Sequence, residues 1–390
     1  MPHPSRIHNI DVLRGLVMII MALDHTREFI HLEALTGNPL DLQTTTPILY
    51  FTRWITHFCA PTFVFLSGTA AYLQSLRKSK TQLSGFLIKR GAWLILVEII
   101  VVTFAITFDI NYSFIILQVI WAIGISMVIL GVMVRLPFYV ILSVGVAIVA
   151  GHNVLDYYEA SHKGGFAWYY DMLHRQSVFN IGSGRTLFNF YPFLPWVGVM
   201  LLGYCFGRFY LADVINRHRR TIILGASTLL FFVIARWLDV YGDPIKWSEQ
   251  KNPLYTFLSF INTQKYPPSL LFLAVTLGIS FISLGIMGDV RNRLTRIVAV
   301  YGQVPLFYYI IHFFLIHLIS AGLYLARGHS FSEGLVGTSG IPFKFVEPGE
   351  GYSLLVVYLV WVGVVAFLYP FCKWYAAYKA THRNWWLSYL

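Results

Sequence analysis

Ten stretches of this chain are apolar over roughly the 20 residues that a helix needs to cross a bilayer, and nothing else in the sequence limits the fold so strongly. They run 10–30, 47–75, 86–108, 113–134, 137–153, 190–211, 221–238, 268–288, 298–325 and 352–376. The fifth is short and interrupted by glycine, while the second and ninth are long, so a missing or re-entrant segment fits as well. Charged residues make up 12% of the chain and hydrophobic ones 57%, against about 25% charged in soluble domains. The expected fold is therefore an all-α polytopic integral membrane protein, a bundle of about ten transmembrane helices in one domain spanning 1–390.

Loop charge sets the orientation. Alternate connections are basic, with Arg77, Lys78, Lys80, Lys89 and Arg90, then Arg135, then Arg208, Arg217, Arg219 and Arg220, then Arg291, Arg293 and Arg296. Lys373, Lys379 and Arg383 follow at the C-terminal end, and the opposite connections hold acids instead, among them Asp156, Glu159, Asp171, Asp239, Glu333 and Glu350. The positive-inside rule then places both termini in the cytoplasm, as an even number of spans requires. The excess of Lys+Arg over Asp+Glu, 29 to 18, has the same origin. No basic helix, zinc-finger spacing or stacking-aromatic motif points to nucleic acid. The first stretch ends in Asp24-His25-Thr26-Arg27-Glu28 without a small-residue cleavage site, so it reads as a span and not a signal peptide. Cys59, Cys205 and Cys372 all fall inside apolar segments and read as small core residues, with no disulfide framework and no metal spacing. The three longest connections, 154–189, 239–267 and 326–351, share the outer side and read as structured loops over an outward-facing pocket.

The chemistry concentrates in the first span. Eleven helical steps return His25 to within about 20° of Arg14, about 16 Å farther along, so the two share one stripe. Ionisable groups inside a membrane span are costly and mark function by default. Asp24 adjoins His25 and Glu28 lies one turn on. An imidazole with a carboxylate suits general-base or nucleophilic work, and a polar network that only ties helices together is the plainer reading. Arg53 and His57 stand four apart in the second span, near Trp54 and ahead of Pro61, whose missing N–H frees a carbonyl. Ser67-Gly68-Thr69 reads as close helix packing. Gln118, Trp121 and Gly124 are candidates to line a cavity. The segments Tyr191-Pro192-Phe193-Leu194-Pro195-Trp196 and Lys265-Tyr266-Pro267-Pro268-Ser269 read as interfacial anchors and as a rigid lip. In the ninth span Gln303, Tyr308, His312 and His317 line an aromatic helix. The five-residue spacing of its histidines is not the i,i+4 pair of two ligands, so metal and haem are not expected.

The Arg-x10-His spacing resembles the signature of the membrane-bound acyltransferase-3 superfamily. More closely, RIHNIDVLRGLVMIIMALDHTREF, TTTPILYFTRWITHFCAPTFVFLSGTAAYL, FYPFLPWVGVMLLGYCFGR, KYPPSLLFLAVTLG and GQVPLFYYIIHFFLIH are similar to bacterial proteins of the heparan-α-glucosaminide N-acetyltransferase-like family. The likeness is strong over 1–75 and 185–325 and weaker in the outer loops. It implies acyl-CoA docking from the cytoplasm and an acceptor at the opposite face. It also implies Arg14 as a donor contact, with His25 as base or as the nucleophile of an acyl-histidine. The lysosomal branch of that family lacks histidine at the position of His25 and holds an acid at that of His57, so the histidine-dependent step differs between branches.

The expected function is thus a plasma-membrane (bacterial inner-membrane) acyltransferase. It would move an acetyl or acyl group from cytoplasmic acyl-CoA to a sugar or envelope glycan at the outer face. His25 and Asp24 are the expected catalytic pair, Arg14 and Arg53 the donor contacts, and His57 a second-helix contributor, with no metal. The expected partners are acyl-CoA, a carbohydrate or glycan acceptor and membrane lipid, with a homodimer left open and no nucleic acid. The competing class is a proton-coupled secondary transporter in which Asp24, His25 and Glu28 relay protons. A lipid-organising protein without turnover has no use for the Arg14–His25 stripe.

Overall fold

The first apolar stretch forms one uninterrupted helix, α1 (His8–Ile30), with no glycine or proline in it except Gly15. The computed structural model describes residues 7–162, 165–338, 340–382, 384 and 387; Arg383 of the basic C-terminal group lies outside the described residues. The second stretch does not continue as one helix. α2 (Pro47–Trp54) gives way to a 3₁₀ turn (Ile55–Phe58) before α3 (Cys59–Ser75). Pro61 has no N–H for the carbonyl of His57, and the backbone tightens over the residues in front of it.

α4 (Lys80–Val97), a π-helical turn (Glu98–Val102) and α5 (Thr103–Thr107) make one long apolar run. The next expected span is only partly helical, because Phe114–Leu117 is the extended strand β1 and α6 (Val119–Met133) is 15 residues long. A short Phe-Ile-Ile-Leu run has no periodicity to separate strand from helix. There follow α7 (Phe138–Gly151), α8 (Val154–Ser161), α9 (Trp168–His174), β2 (Ser177–Asn180) and β3 (Thr186–Asn189). α10 (Leu194–Ala212), α11 (Arg217–Leu238), α12 (Pro253–Ile261) and α13 (Leu270–Met287) come next. The ninth expected span breaks at Pro305 into α14 (Arg293–Gln303) and α15 (Pro305–Ala326), since proline ends one helix and suits the first position of the next. α16 (Phe331–Val336) and α17 (Leu354–Thr381) complete the order.

Among the described residues six helices are long and apolar enough to cross a membrane, or seven if the bent pair α7 and α8, 42° apart, counts as one. The protein is a multi-pass helical membrane protein. α1 has the length, but Asp11, Arg14, Asp24, Arg27 and Glu28 make it unusually polar for a span. The loops expected to be structured are so: 154–189 holds α8, α9 and an antiparallel hairpin with Val178 opposite Phe188, 239–267 holds α12, and 326–351 holds α16.

The chain divides into two units interleaved in sequence, one from Met1–Cys59, Ile100–Ile115 and Asp289–Leu390, the other from Ala60–Ile99 and Ile116–Gly288. In the first, α1 packs against α14, α15 and α17. Gly15 and Gly302 let α1 and α14 touch backbone to backbone: a Cβ on Gly15 would lie 1.9 Å from the Val298 carbonyl oxygen, and one on Gly302 1.9 Å from that of Asp11. Trp361 Nε1 of α17 donates to the Ile19 carbonyl at 2.8 Å, and Tyr301 Oη of α14 to that of Val365 at 2.9 Å. Apolar burial supplies little drive between helices in lipid, so these close approaches and polar ties hold the group together.

In the second unit α4 pairs with α6, α11 with α13, and α10 with α7. Gly68 sits against the α10 backbone and Thr69 Oγ1 donates to the Gly203 carbonyl at 3.0 Å, the packing role expected of that segment. Tyr191 and Trp196 are buried within the protein. Tyr191 packs against Trp196 and Tyr266, with ring centres 5.4 and 5.2 Å away, joining the two proline-rich segments. All three cysteines are buried thiols outside any disulfide.

Candidate functional site

The charges of α1 gather at its two ends. At the first, Arg14 Nη1 donates to Asp11 Oδ1 at 3.3 Å and to the Gly302 carbonyl at 3.1 Å, so the guanidinium is tied into the α1–α14 crossing. At the other end Asp24 Oδ1 accepts from Arg27 Nη2 at 3.2 Å, and Asp24 Oδ2 accepts from Arg53 Nη1 of α2. Glu28 Oε1 lies 3.7 Å from Arg27 and 3.8 Å from Arg53. Two guanidinium groups thus face two carboxylates, with Asp24 and Arg27 buried. The set is close to neutral, which is the condition for keeping such charges out of water.

His25 stands on the edge of that cluster. Its Nδ1 is 3.4 Å from Glu28 Oε2, so the carboxylate that pairs with it is Glu28. Asp24 was the expected partner, but its oxygens are engaged by Arg27 and Arg53. The reason is angular: neighbours in a helix point about 100° apart, whereas residues three apart share a face. The 3.4 Å separation is longer than a formed hydrogen bond.

The other side of His25 is supplied by α15. Phe313, His312 and Tyr309 bring their ring centres within 4.1, 5.2 and 6.5 Å of its imidazole. The shared stripe of Arg14 and His25 therefore faces α14 and α15. His312 is fully buried, and its Nδ1 lies 3.0 Å from the Tyr308 carbonyl. A carbonyl only accepts, so Nδ1 carries the proton and Nε2 of the neutral ring is a bare lone pair. That nitrogen has no hydrogen-bond partner among the described residues. The Tyr308 ring stacks on His312 at 5.3 Å and 5°. One helix turn and a half further, His317 differs: its nitrogens lie 3.1 and 2.7 Å from the carbonyls of Ala105 and Lys344, and its ring stacks on Phe108 at 3.7 Å. It ties three segments together.

His57 is buried on the 3₁₀ turn, which packs on α1; Cys59 Sγ next to it contacts the Val17 carbonyl at 3.3 Å. Gln118 serves as a backbone donor, its N–H bonded to Glu98 Oε1 at 2.7 Å at the start of α6. Sequence reasoning did not single out Arg27, and it named Glu28 near His25 while giving the partner's role to Asp24, though Arg27 and Glu28 each stand three residues from the group they meet. It noted His312 without bringing it to His25, because only the tertiary packing of α15 on α1 does so. Among the described residues one group could hold a metal ion, Asp156, Glu159 and His174 in the second unit.

The arrangement in the first unit offers a part-exposed imidazole beside a carboxylate, a second imidazole with a lone pair, and a clamped charge cluster. Proton abstraction and acyl transfer are within the reach of such groups. No curated protein matches the chain. The sequence model of the family described as heparan-alpha-glucosaminide N-acetyltransferase, catalytic, matches residues 6–238. That span holds Arg14, Asp24, His25, Glu28, Arg53 and His57, while His312 and the rest of α15 lie beyond it. The match covers more than half of the chain, and the protein belongs to the heparan-alpha-glucosaminide N-acetyltransferase family.

Proposed function

We propose that this membrane acetyltransferase-family protein moves an acetyl or longer acyl group from cytoplasmic acyl-CoA to a hydroxyl or amine of a sugar or envelope glycan at the outer face. In this reading the whole chain serves one transmembrane domain of ten spans, with both termini cytoplasmic, in a bacterial inner membrane. The observation that carries it is the His25 imidazole held between Glu28 and the His312 ring.

The steps follow from that geometry. Glu28, 3.4 Å from His25 Nδ1, favours the tautomer with its proton there, which leaves Nε2 as the base. His25 Nε2 takes the proton of the acceptor as its oxygen or nitrogen attacks the thioester carbonyl carbon. The C–S bond then breaks, and CoA leaves as a thiolate that recovers the proton from the imidazolium. His312 Nε2 offers a second acceptor for a proton moving through the site. Arg14, on the cytoplasmic side in this orientation, meets an oxyanion of the CoA arm. Arg53 is given over to Asp24 and Glu28, so its part is to fix the carboxylates rather than to touch the donor. Asp24 in turn positions the two guanidinium groups, and His57 braces the second helix against α1. A site of this build works with its own side chains, and no step needs a metal.

Calorimetry of acetyl-CoA with the purified protein in nanodiscs tests the donor. Binding accompanied by release of free CoA when an acceptor is present supports the reading. Failure to bind acetyl-CoA or any longer acyl-CoA, together with proton-coupled flux of a small molecule, would contradict it. If an acyl group stays on the protein and is lost in His25→Ala, His25 is a nucleophile and transfer takes two steps.

A further inference from the structure

A second histidine–carboxylate group lies in the other unit, where α7 gives way to α8 and α9, and the proposed transfer reaction does not use it. Asp156 and Glu159 stand three apart on α8, and His174 is the last residue of α9. One donor atom from each lies within 4.8 Å of the other two. His174 is fully buried, with Nδ1 2.8 Å from Glu159 Oε1. Every member has a further partner that fixes its orientation. Asn153 Nδ2 donates to Asp156 Oδ2 at 2.7 Å, Tyr170 Oη donates to Glu159 Oε1 at 3.0 Å, and His152 Nδ1 lies 3.0 Å from His174 Nε2.

Charge is what this group lacks. No lysine or arginine among the described residues pairs with Asp156 or Glu159, although Arg175 is close in sequence and pairs with Asp171 instead. Two partly exposed carboxylates thus stand beside the buried His174 with no lysine or arginine among the described residues to balance them, which is the charge a divalent cation supplies. His152 adds a second observation. Its ring is buried, its one hydrogen-bond partner among the described residues is His174, and its Nε2 has none. A histidine in that place has an evident use if His174 is a ligand, because a ligating imidazole needs an acceptor for its other N–H.

We infer that Asp156, Glu159 and His174 bind one divalent transition-metal cation of the zinc type. One nitrogen and two carboxylate oxygens suit Zn²⁺ and its neighbours, whereas Ca²⁺ and Mg²⁺ prefer oxygen alone. The cation takes the place of the proton on His174 Nδ1, which is released to solvent. His174 Nε2 then takes the proton shared with His152 Nδ1, and His152 Nε2 takes one from solvent, so each ring keeps one proton and His174 donates to His152 Nδ1. Ligand atoms on Zn²⁺ sit about 2.0–2.2 Å from the metal, so shifts of about an ångström gather the three. Three protein ligands leave the fourth position to water. The cation would pin α8 to α9 and stiffen the long 154–189 connection.

The test uses full-length protein in nanodiscs after chelator treatment, with calorimetric titration of Zn²⁺ and absorption spectra of the Co²⁺ form. Expected are one Zn²⁺ per chain and the visible bands of four- or five-coordinate Co²⁺ without thiolate charge transfer. Glu159→Gln should weaken binding at least tenfold, and His152→Phe by about 10–100-fold, as for other partners of a ligating histidine. If Glu159→Gln does not fold, Asp156→Asn gives the same reading. Absence of stoichiometric Zn²⁺ binding, equal affinity in the carboxylate variants, or a Co²⁺–thiolate spectrum would overturn the inference. None of these readouts depends on acyl transfer.

Discussion

The two ends of α1 carry similar residues put to different ends. Around Arg14 the helix is clamped: Asp11 and the Gly302 carbonyl hold the guanidinium where Gly15 and Gly302 bring two backbones into contact. Around His25 the charges balance one another instead, and the imidazole is left part-exposed between Glu28 and the aromatic face of α15. The first end joins two helices around a guanidinium, and the second leaves an imidazole accessible between its neighbours. The same contrast runs along α15, where both nitrogens of His317 face carbonyls and only one of His312 does. Residue type alone does not separate structure from chemistry; the partners do.

The sharpest way to break the contrast is at the joint. Gly302→Val should remove more than about 4 kcal/mol of stability or prevent folding, because the new Cβ meets backbone that cannot turn aside. Gly322→Ala on α15, where a Cβ meets nothing within 4 Å, should stay within about 0.5 kcal/mol. Thermal unfolding followed by a thiol-reactive dye reads both, since all three cysteines are buried in the fold. Similar melting of the two variants would deny that the crossing is a joint.

Next in size is the charge cluster. Asp24→Asn leaves Arg27 and Arg53 facing one carboxylate and should cost about 3–5 kcal/mol, the usual loss when one partner of a buried pair is removed. Stability kept in that variant would mean the cluster is not a closed network. A smaller stability effect with a large kinetic one distinguishes the α15 histidines. His312→Phe should lower the rate of acyl transfer by about 10²–10⁴-fold, the range for a proton-transferring group, while leaving the melt nearly unchanged. His317→Phe should do the reverse, lowering stability by about 1–3 kcal/mol as a carbonyl loses its imidazole donor and the ring's contacts with two segments are lost. Equal effects of the two on rate would erase the distinction.

The smallest effect belongs to the surface. The hydrogen bond from His329 Nε2 to Glu350 Oε2, 2.7 Å long, and the charge of Arg327 hold the Glu350 carboxyl below its ordinary value. A carboxyl lowered in this way adds stability above the ordinary glutamate range and loses it as pH falls through the lowered value. Melting at stepwise lower pH should show wild type losing slightly more stability than Glu350→Gln below about pH 4. Solvent screening keeps the difference small. A difference that grew toward neutral pH would have the wrong sign.

Much of this was legible before any coordinates. The Arg14–His25 stripe, the buried cysteines, the packing role of Gly68 and the structured long connections follow from spacing and composition. Pro61 was visible as a freed carbonyl, but 47–75 and 298–325 read as unbroken spans because apolar content hides where a proline ends a helix. The pairing of His25 with Glu28 was available too, because a three-residue step shares a helix face and a one-residue step does not. Other features needed the fold. His312 and His25 are 287 positions apart, and only the packing of α15 on α1 joins them. Asp156 and Glu159 show helical spacing, but the turn that returns His174 to them leaves no local signal. β1 looked like the start of a span because apolar residues serve strand and helix alike.

The most direct test of the account is a single-turnover measurement with acetyl-labelled CoA and an amine-bearing acceptor, comparing wild type with His25→Ala in nanodiscs. The variant should keep the wild-type melting temperature and donor binding while transfer falls by at least about a hundredfold, the lower end for loss of a general base. A well-folded His25→Ala protein that transferred the acetyl group at the wild-type rate would remove His25 from the chemistry and, with it, the site described at this end of α1.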